Sequence, residues 1–215
     1  MKGAYAVFGA GSFGSKVASE LSEAGHHVVV VDIDRDAVMA ISEKVTEALV
    51  ADVSNPDVIR ELNVKKFDAV ILGMSSHFED LILALTLLKQ EGAGKIYAKA
   101  NSAIQKKILM RLGADEVIQP DQDVAERLCA KLSMSKVTDM FEFKGSFIAE
   151  VGIPAFMLNK TIRSLDMRNK YNITILLVKK PGQEMTTVWD PNMVLQEDDR
   201  LVVIGAEKAI TEVFK

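Results

Sequence analysis

The stretch VFGAGSFGSKVASEL at residues 7–21, followed by HVVVVD at 27–32, constrains this chain more than any other feature. Gly9, Gly11 and Gly14 stand in Gly-x-Gly-x-x-Gly spacing between an apolar run and an amphipathic one. In such a loop the first glycine permits a tight turn after a strand. The second lets phosphate approach the backbone, and the third lets the helix pack on the sheet. The helix that follows offers free N–H groups and a partial positive charge to an anion. Asp32 ends the second apolar run eighteen residues past Gly14. At that place a carboxylate accepts hydrogen bonds from ribose hydroxyls and repels a 2′-phosphate. The set points to a nucleotide with a free ribose diol and leaves NAD, ATP and ADP open.

The same alternation continues to residue 118. Short Val- and Ile-rich runs read as buried parallel strands at Ala4–Phe8, Val28–Asp32, Thr46–Ala51, Ala69–Gly73, Lys95–Lys99 and Glu116–Ile118. Helical stretches separate them: Ser15–Glu23, Asp36–Lys44 after a capping Asp34, a start at Asn55-Pro56, His77–Gln90, and Ser102–Leu112 ending at Gly113. Repeated β–α units with short connections predict an α/β fold, a Rossmann-like doubly wound parallel sheet. Asp121–Met134 reads as one more helix, with Val124, Ala125, Leu128, Cys129 and Leu132 on one face. That face is suited either to core packing or to another subunit. Beyond it the pattern becomes a small α+β C-terminal domain. Its expected elements are a strand FIAEVGI, a short helix at Thr161–Leu165, strands ITILLVKK, EMTTVW and RLVVIG, and a terminal helix Ala206–Phe214. The boundary is placed within Lys136–Gly145, giving domains 1–136 and 137–215.

Composition narrows the function classes. The chain has 215 residues, 48% of them hydrophobic, which suits an ordinary globular core. The net charge is −4, the acidic excess lies wholly in residues 1–144, and no basic block exists, so nucleic acid is not an expected partner. The single Cys129 excludes an intrachain disulfide and suits a reducing compartment. MKGAYAVFGAG enters a strand directly, so no signal peptide is expected, and no apolar run is long enough to cross a bilayer. Catalytic equipment is sparse. His26 and His27 fall at the edge of the sheet opposite the nucleotide and are expected to be solvated. His77 follows a strand's carboxyl end, where it either begins a helix or reaches a ligand, and Lys99 ends another strand facing the crevice, as a solvated lysine or a phosphate contact; an NAD-dependent oxidoreductase would need its proton relay there.

At this point a family resemblance is carried by the residues. VFGAGSFGSKVASELSEAGHHVVVVDID, ALVADVSN, DAVILGM, KIYAKANS and LGADEVIQPDQDVAERLC resemble the N-terminal nucleotide-binding domain of Trk/Ktr-type potassium uptake regulatory subunits, the RCK proteins. NKTIRSLDMRNKYNITILLVKK and VLQEDDRLVVIGAEKAITEVF are similar to that family's C-terminal ligand-binding domain. The resemblance implies a non-enzymatic cytoplasmic gating subunit, peripheral at the membrane through a potassium-translocating partner. It also implies a homodimer, assembled into a ring-shaped homo-octamer. It implies an adenine nucleotide, ATP/ADP or NAD/NADH, at Gly9, Ala10, Gly11, Ser12, Phe13, Gly14, Asp32, Ile33, Asp34, Asp52, Val53 and Lys99. A divalent cation at Asp121 and cyclic di-AMP near Arg168 and Asn172 are further implications. One departure stands out: Ktr-type members commonly carry arginine where this chain has Ser12, and serine brings no charge to a terminal phosphate. An NAD-dependent oxidoreductase, or a nucleotide sensor serving another cation transporter, are the alternative readings.

Overall fold

The computed structural model describes residues 2–74, 77–133, 136–188 and 190–214. Two compact units divide the chain, residues 1–122 and 123–215.

In the first unit the chain runs β1 (Ala4–Phe8), α1 (Ser12–Glu23), β2 (His27–Asp32), α2 (Arg35–Ile41), β3 (Glu47–Val50), α3 (Pro56–Glu61), β4 (Ala69–Leu72), α4 (Phe78–Gln90), β5 (Lys95–Lys99), α5 (Ala103–Arg111), β6 (Glu116–Ile118) and the start of α6 (Pro120–Ser133). The strands form one parallel sheet in the order β3-β2-β1-β4-β5-β6. The order reverses between β1 and β4, and a doubly wound sheet opens a crevice there, at the strands' carboxyl ends. Successive side chains of a strand point to opposite faces, so each strand feeds two cores. Ala6, Phe8, Val29, Val31, Val70 and Leu72 pack with Leu81, Leu85 and Leu88 of α4 on one face. Val7, Val28, Val30 and Ile71 pack with Ala18 of α1 and Ile41 of α2 on the other. Local chemistry sets the helix starts. Asp34 accepts from the N–H groups of Asp36 and Ala37, Asn55 from Asp57, and Ser102 from Gln105.

In the second unit β7 (Val137–Phe143), β8 (Ser146–Gly152), β9 (Thr174–Lys179), β10 (Thr186–Thr187) and β11 (Arg200–Gly205) form an antiparallel sheet, order β10-β9-β11-β8-β7. With α7 (Ile162–Leu165), α8 (Met167–Tyr171) and α9 (Glu207–Val213) it encloses a second core that includes Val151, Met157, Ile173, Leu195, Leu201, Val203, Ile210 and Phe214.

Three elements differ from expectation. The segment Lys136–Gly145, read as a boundary, contains strand β7. Lys144 (φ 49°) and Gly145 (φ 82°) both turn left-handed, the backbone a tight two-residue hairpin needs. The strand expected over EMTTVW shortens to Thr186–Thr187, and Trp189 lies outside the described residues. Helix α8 was not anticipated, because Asp166 at φ 48° stops α7 and the chain turns helical again at once. The expected end of α6 at Met134 also lies outside the described residues.

Candidate nucleotide-binding site

The glycine loop ends β1 and opens α1. Gly9 adopts φ +99°, and a Cβ there would meet the Met74 backbone nitrogen at 2.6 Å. A Cβ on Gly14 would lie 1.9 Å from the Gly9 carbonyl oxygen, so helix and strand approach as only glycine permits. Gly11 is different. Its backbone is extended (φ −67°, ψ −176°), a conformation any residue adopts, and a Cβ there would meet nothing within 4 Å. Neither packing nor conformation of this chain demands that glycine. Open space beside a bare backbone fits the approach of a phosphate.

The helix end beside it is unfilled in the same sense. α1 has no side-chain cap and no acidic residue in its first turn, whereas α2, α3 and α5 are capped by their own side chains. Among the described residues, then, no side chain accepts from its leading N–H groups, which with the helix dipole are left to an anion. Asp32 holds the loop against β2: its carboxylate accepts from the Ala10 N–H, and from the Asp34 N–H at 2.9 Å. A carboxylate has about four lone-pair positions, so Asp32 keeps acceptor capacity for a ribose diol.

These groups line a cleft of about 470 Å³. Of the sequence-derived candidates, Gly9, Gly11, Ser12, Phe13, Asp32, Ile33, Asp34, Asp52, Val53 and Lys99 lie in its wall. Ala10 and Gly14 are buried behind the wall and position it. The Lys99 side chain is only 12% exposed, and its Nζ lies 3.4 Å from Asp121 Oδ2, whose side chain is 84% exposed. Asp121 is thus outside the wall, paired to the lysine within it. Among the described residues no three His, Cys, Asp or Glu side chains gather as a metal cluster.

The structure adds wall residues not singled out from the sequence, Val31 of β2, Ala37 of α2, Ala51 after β3, Gly73 and Met74 after β4 and Asp80 in the first turn of α4, while His77, expected to reach the crevice, lies in the wall as well. Gly73 is fixed by contact, since a Cβ there would sit 3.2 Å from the Gly14 Cα. His26 departs from the expectation of a solvated side chain: its Nδ1 accepts from the Gly3 N–H at 3.0 Å and its ring meets Tyr5 edge-on. In the second unit Asn172 ends α8 at φ 54° and lines a separate hollow with Phe156, Tyr171 and Glu212. Arg168 lies on α8 outside that wall.

Comparison with known proteins gives concordant results. Residues 5–120 match the TrkA-N domain and residues 147–215 the TrkA-C domain. The chain is 31% identical to Ktr system potassium uptake protein C of Bacillus subtilis (strain 168), covering 100% of this chain and 97% of that protein. It is 30% identical to Ktr system potassium uptake protein A of the same organism, covering 96% and 93%. Among solved structures, the GsuK channel bound to NAD superposes with a TM-score of 0.67 at 20% identity, covering 100% of this chain and 40% of that one. The Kef C-terminal domain of Shewanella denitrificans in its AMP-bound form gives 0.53 at 19% identity, covering 60% and 79%. At those identities the structural likeness establishes the fold. The chain spans less than half of the GsuK chains it matches.

Proposed function

The chain belongs to the family in which a TrkA-N domain is followed by a TrkA-C domain, as in the Ktr potassium uptake proteins, and on that premise we propose that it is the cytosolic regulatory subunit of a potassium transporter. An adenine nucleotide in the first unit controls ion flux through a separate membrane-embedded subunit, without turnover. The observation that carries this reading is the glycine loop: an uncapped helix N-terminus, open space at Gly11 and the Asp32 carboxylate share one wall. It sits in a chain that aligns end to end with named potassium uptake proteins. Among the described residues no helix is long and apolar enough to cross a membrane, so the ion path is assigned to the partner.

The nucleotide acts through differential affinity. A ligand shifts an equilibrium between two assembly states only by the difference in its binding to them. The sensor is proposed to work as a homodimer within a ring, with α6 as the contact. A divalent cation at Asp121 would complete its oxygen shell with water and nucleotide phosphates. Arg168 and Asn172 are the residues to substitute when cyclic di-AMP is tested against the second unit.

The direct experiment captures membrane proteins from detergent extracts of the source cells with the tagged chain, then measures potassium uptake in a strain expressing both the captured transporter and this chain. The expected result is a potassium-translocating partner whose uptake changes on substitution of Asp32→Ala. Capture of a transporter for a different cation, or uptake indifferent to this chain, would overturn the proposal.

A further inference from the structure

The cleft extends to both sides of the glycine loop. Over β2 its wall is Val31–Asp34 and Ala51–Val53. On the β4–β5 side it is Gly73, Met74, His77, Asp80 and Lys99. One anion position at the α1 N-terminus therefore has a lobe on either hand, as a crevice at a strand-order reversal allows for a dinucleotide.

Charge in the wall is unequal. Four carboxylates, Asp32, Asp34, Asp52 and Asp80, face one lysine, Lys99, which is already paired with Asp121. Ser12 adds only a neutral hydroxyl. Three of the carboxylates are committed locally. Asp32 holds the glycine loop, Asp34 caps α2, and Asp52 accepts from the N–H and hydroxyl of Ser54. Asp80, the third residue of α4, is half-buried and takes no hydrogen bond or ion pair among the described residues. A carboxylate accepts and does not donate. Sugar hydroxyls satisfy it, while the oxygens of a terminal phosphate repel it.

We propose that Asp80 is a specificity-determining residue of this cleft, reading the second ribose of a dinucleotide joined by a pyrophosphate, of the NAD type, and disfavouring the triphosphate of ATP. The proposal rests on the reading that the cleft binds an adenine nucleotide, and AMP separates the two. AMP occupies the β2 lobe and the anion position and does not reach Asp80.

The test is calorimetric titration of the full chain with AMP, ATP and NAD, repeated for Asp80→Ala and Asp80→Glu. Wild type is expected to bind NAD more tightly than ATP. Asp80→Ala should weaken NAD about tenfold through loss of a charge-assisted bond. It should strengthen ATP about fivefold through loss of a like charge, and leave AMP within about twofold. Asp80→Glu should restore the NAD preference. A wild-type preference for ATP, or an NAD-to-ATP ratio unmoved by Asp80→Ala while AMP still binds, overturns the role of Asp80 alone. Failure of AMP to bind wild type overturns the nucleotide reading and this inference together. Circular dichroism of each variant verifies the fold.

Discussion

Ser12 is exposed in the cleft wall beside the uncapped end of α1. Its hydroxyl can donate to a phosphate, but the charge must come from elsewhere, and Lys99 is the lysine that the described wall offers. Ser12→Arg is therefore expected to raise the preference for ATP over ADP about tenfold, the worth of one charge-assisted contact. Titration with both nucleotides checks it, and an unchanged ratio would show that the terminal phosphate does not reach this position. A second residue governs stability rather than binding. Asp199 is fully buried in the turn before β11, where its Oδ2 accepts from Lys180 Nζ at 2.6 Å and from the Gln196 N–H at 2.8 Å. Removing one partner of a buried pair leaves an uncompensated charge and costs about 3–5 kcal/mol. Lys180→Met strands the buried carboxylate. Asp199→Asn strands a lysine that still touches water (side chain 26% exposed). Lys180→Met should thus destabilise the chain by about 3 kcal/mol or more, and Asp199→Asn by less, as read from urea unfolding midpoints. The reverse order would refute the assignment of the cost to the carboxylate.

Asp115 joins two elements. Its carboxylate accepts from the Ile96 N–H at 2.8 Å while its own N–H donates to the Ile96 carbonyl, clasping the chain before β6 to β5. That backbone hydrogen bond holds the Asp115 carboxyl below the ordinary aspartate range, with a smaller contribution from Lys89. A depressed folded-state value stabilises the fold above the unfolded aspartate value, and the contribution is lost as pH falls through the folded one. With 45% of the side chain exposed, solvent screening keeps the effect below about 1 kcal/mol. Acid titration of stability should show a shallower decline in Asp115→Asn than in wild type at pH below the ordinary aspartate range. Elements also show what was legible in the sequence. The central strands β2, β1 and β4 are largely buried on both faces, so they read as apolar runs, and Asp34, Asn55 and Ser102 announce their helices by capping chemistry that needs no tertiary context. Strand β7 did not announce itself. It is an edge strand with Thr138, Asp139 and Glu142 in it, and an irregular register between Val137 and Asp139 breaks the alternation. In the cleft, Gly9, Gly11, Ser12 and Asp32 were legible because one loop and one strand end carry them. Asp80 and Gly73 were not, because they come from a stretch far along the chain, and only the approach of β4's end to the glycine loop, Gly73 against Gly14, and the start of α4 bring them to the wall.

At the scale of the whole molecule the telling feature is α6. Val124, Leu128 and Leu132 recur at four-residue spacing and are 63%, 53% and 76% exposed, so the apolar face anticipated there is not absorbed by the chain's own core. Each such side chain contributes about 1.5–3 kcal/mol when removed from water, and a contiguous exposed stripe marks an interaction surface. If α6 is where copies of the sensor meet, two charges in its middle should separate them without touching the nucleotide cleft. Val124→Glu with Leu128→Glu is expected to convert the assembled protein to monomer, read as molar mass by light scattering during size exclusion, while AMP affinity in the isolated protein stays within about twofold. Potassium uptake should then lose its dependence on this chain even though nucleotide still binds. An assembly mass unchanged by the double substitution would move the subunit contact to another surface of the chain.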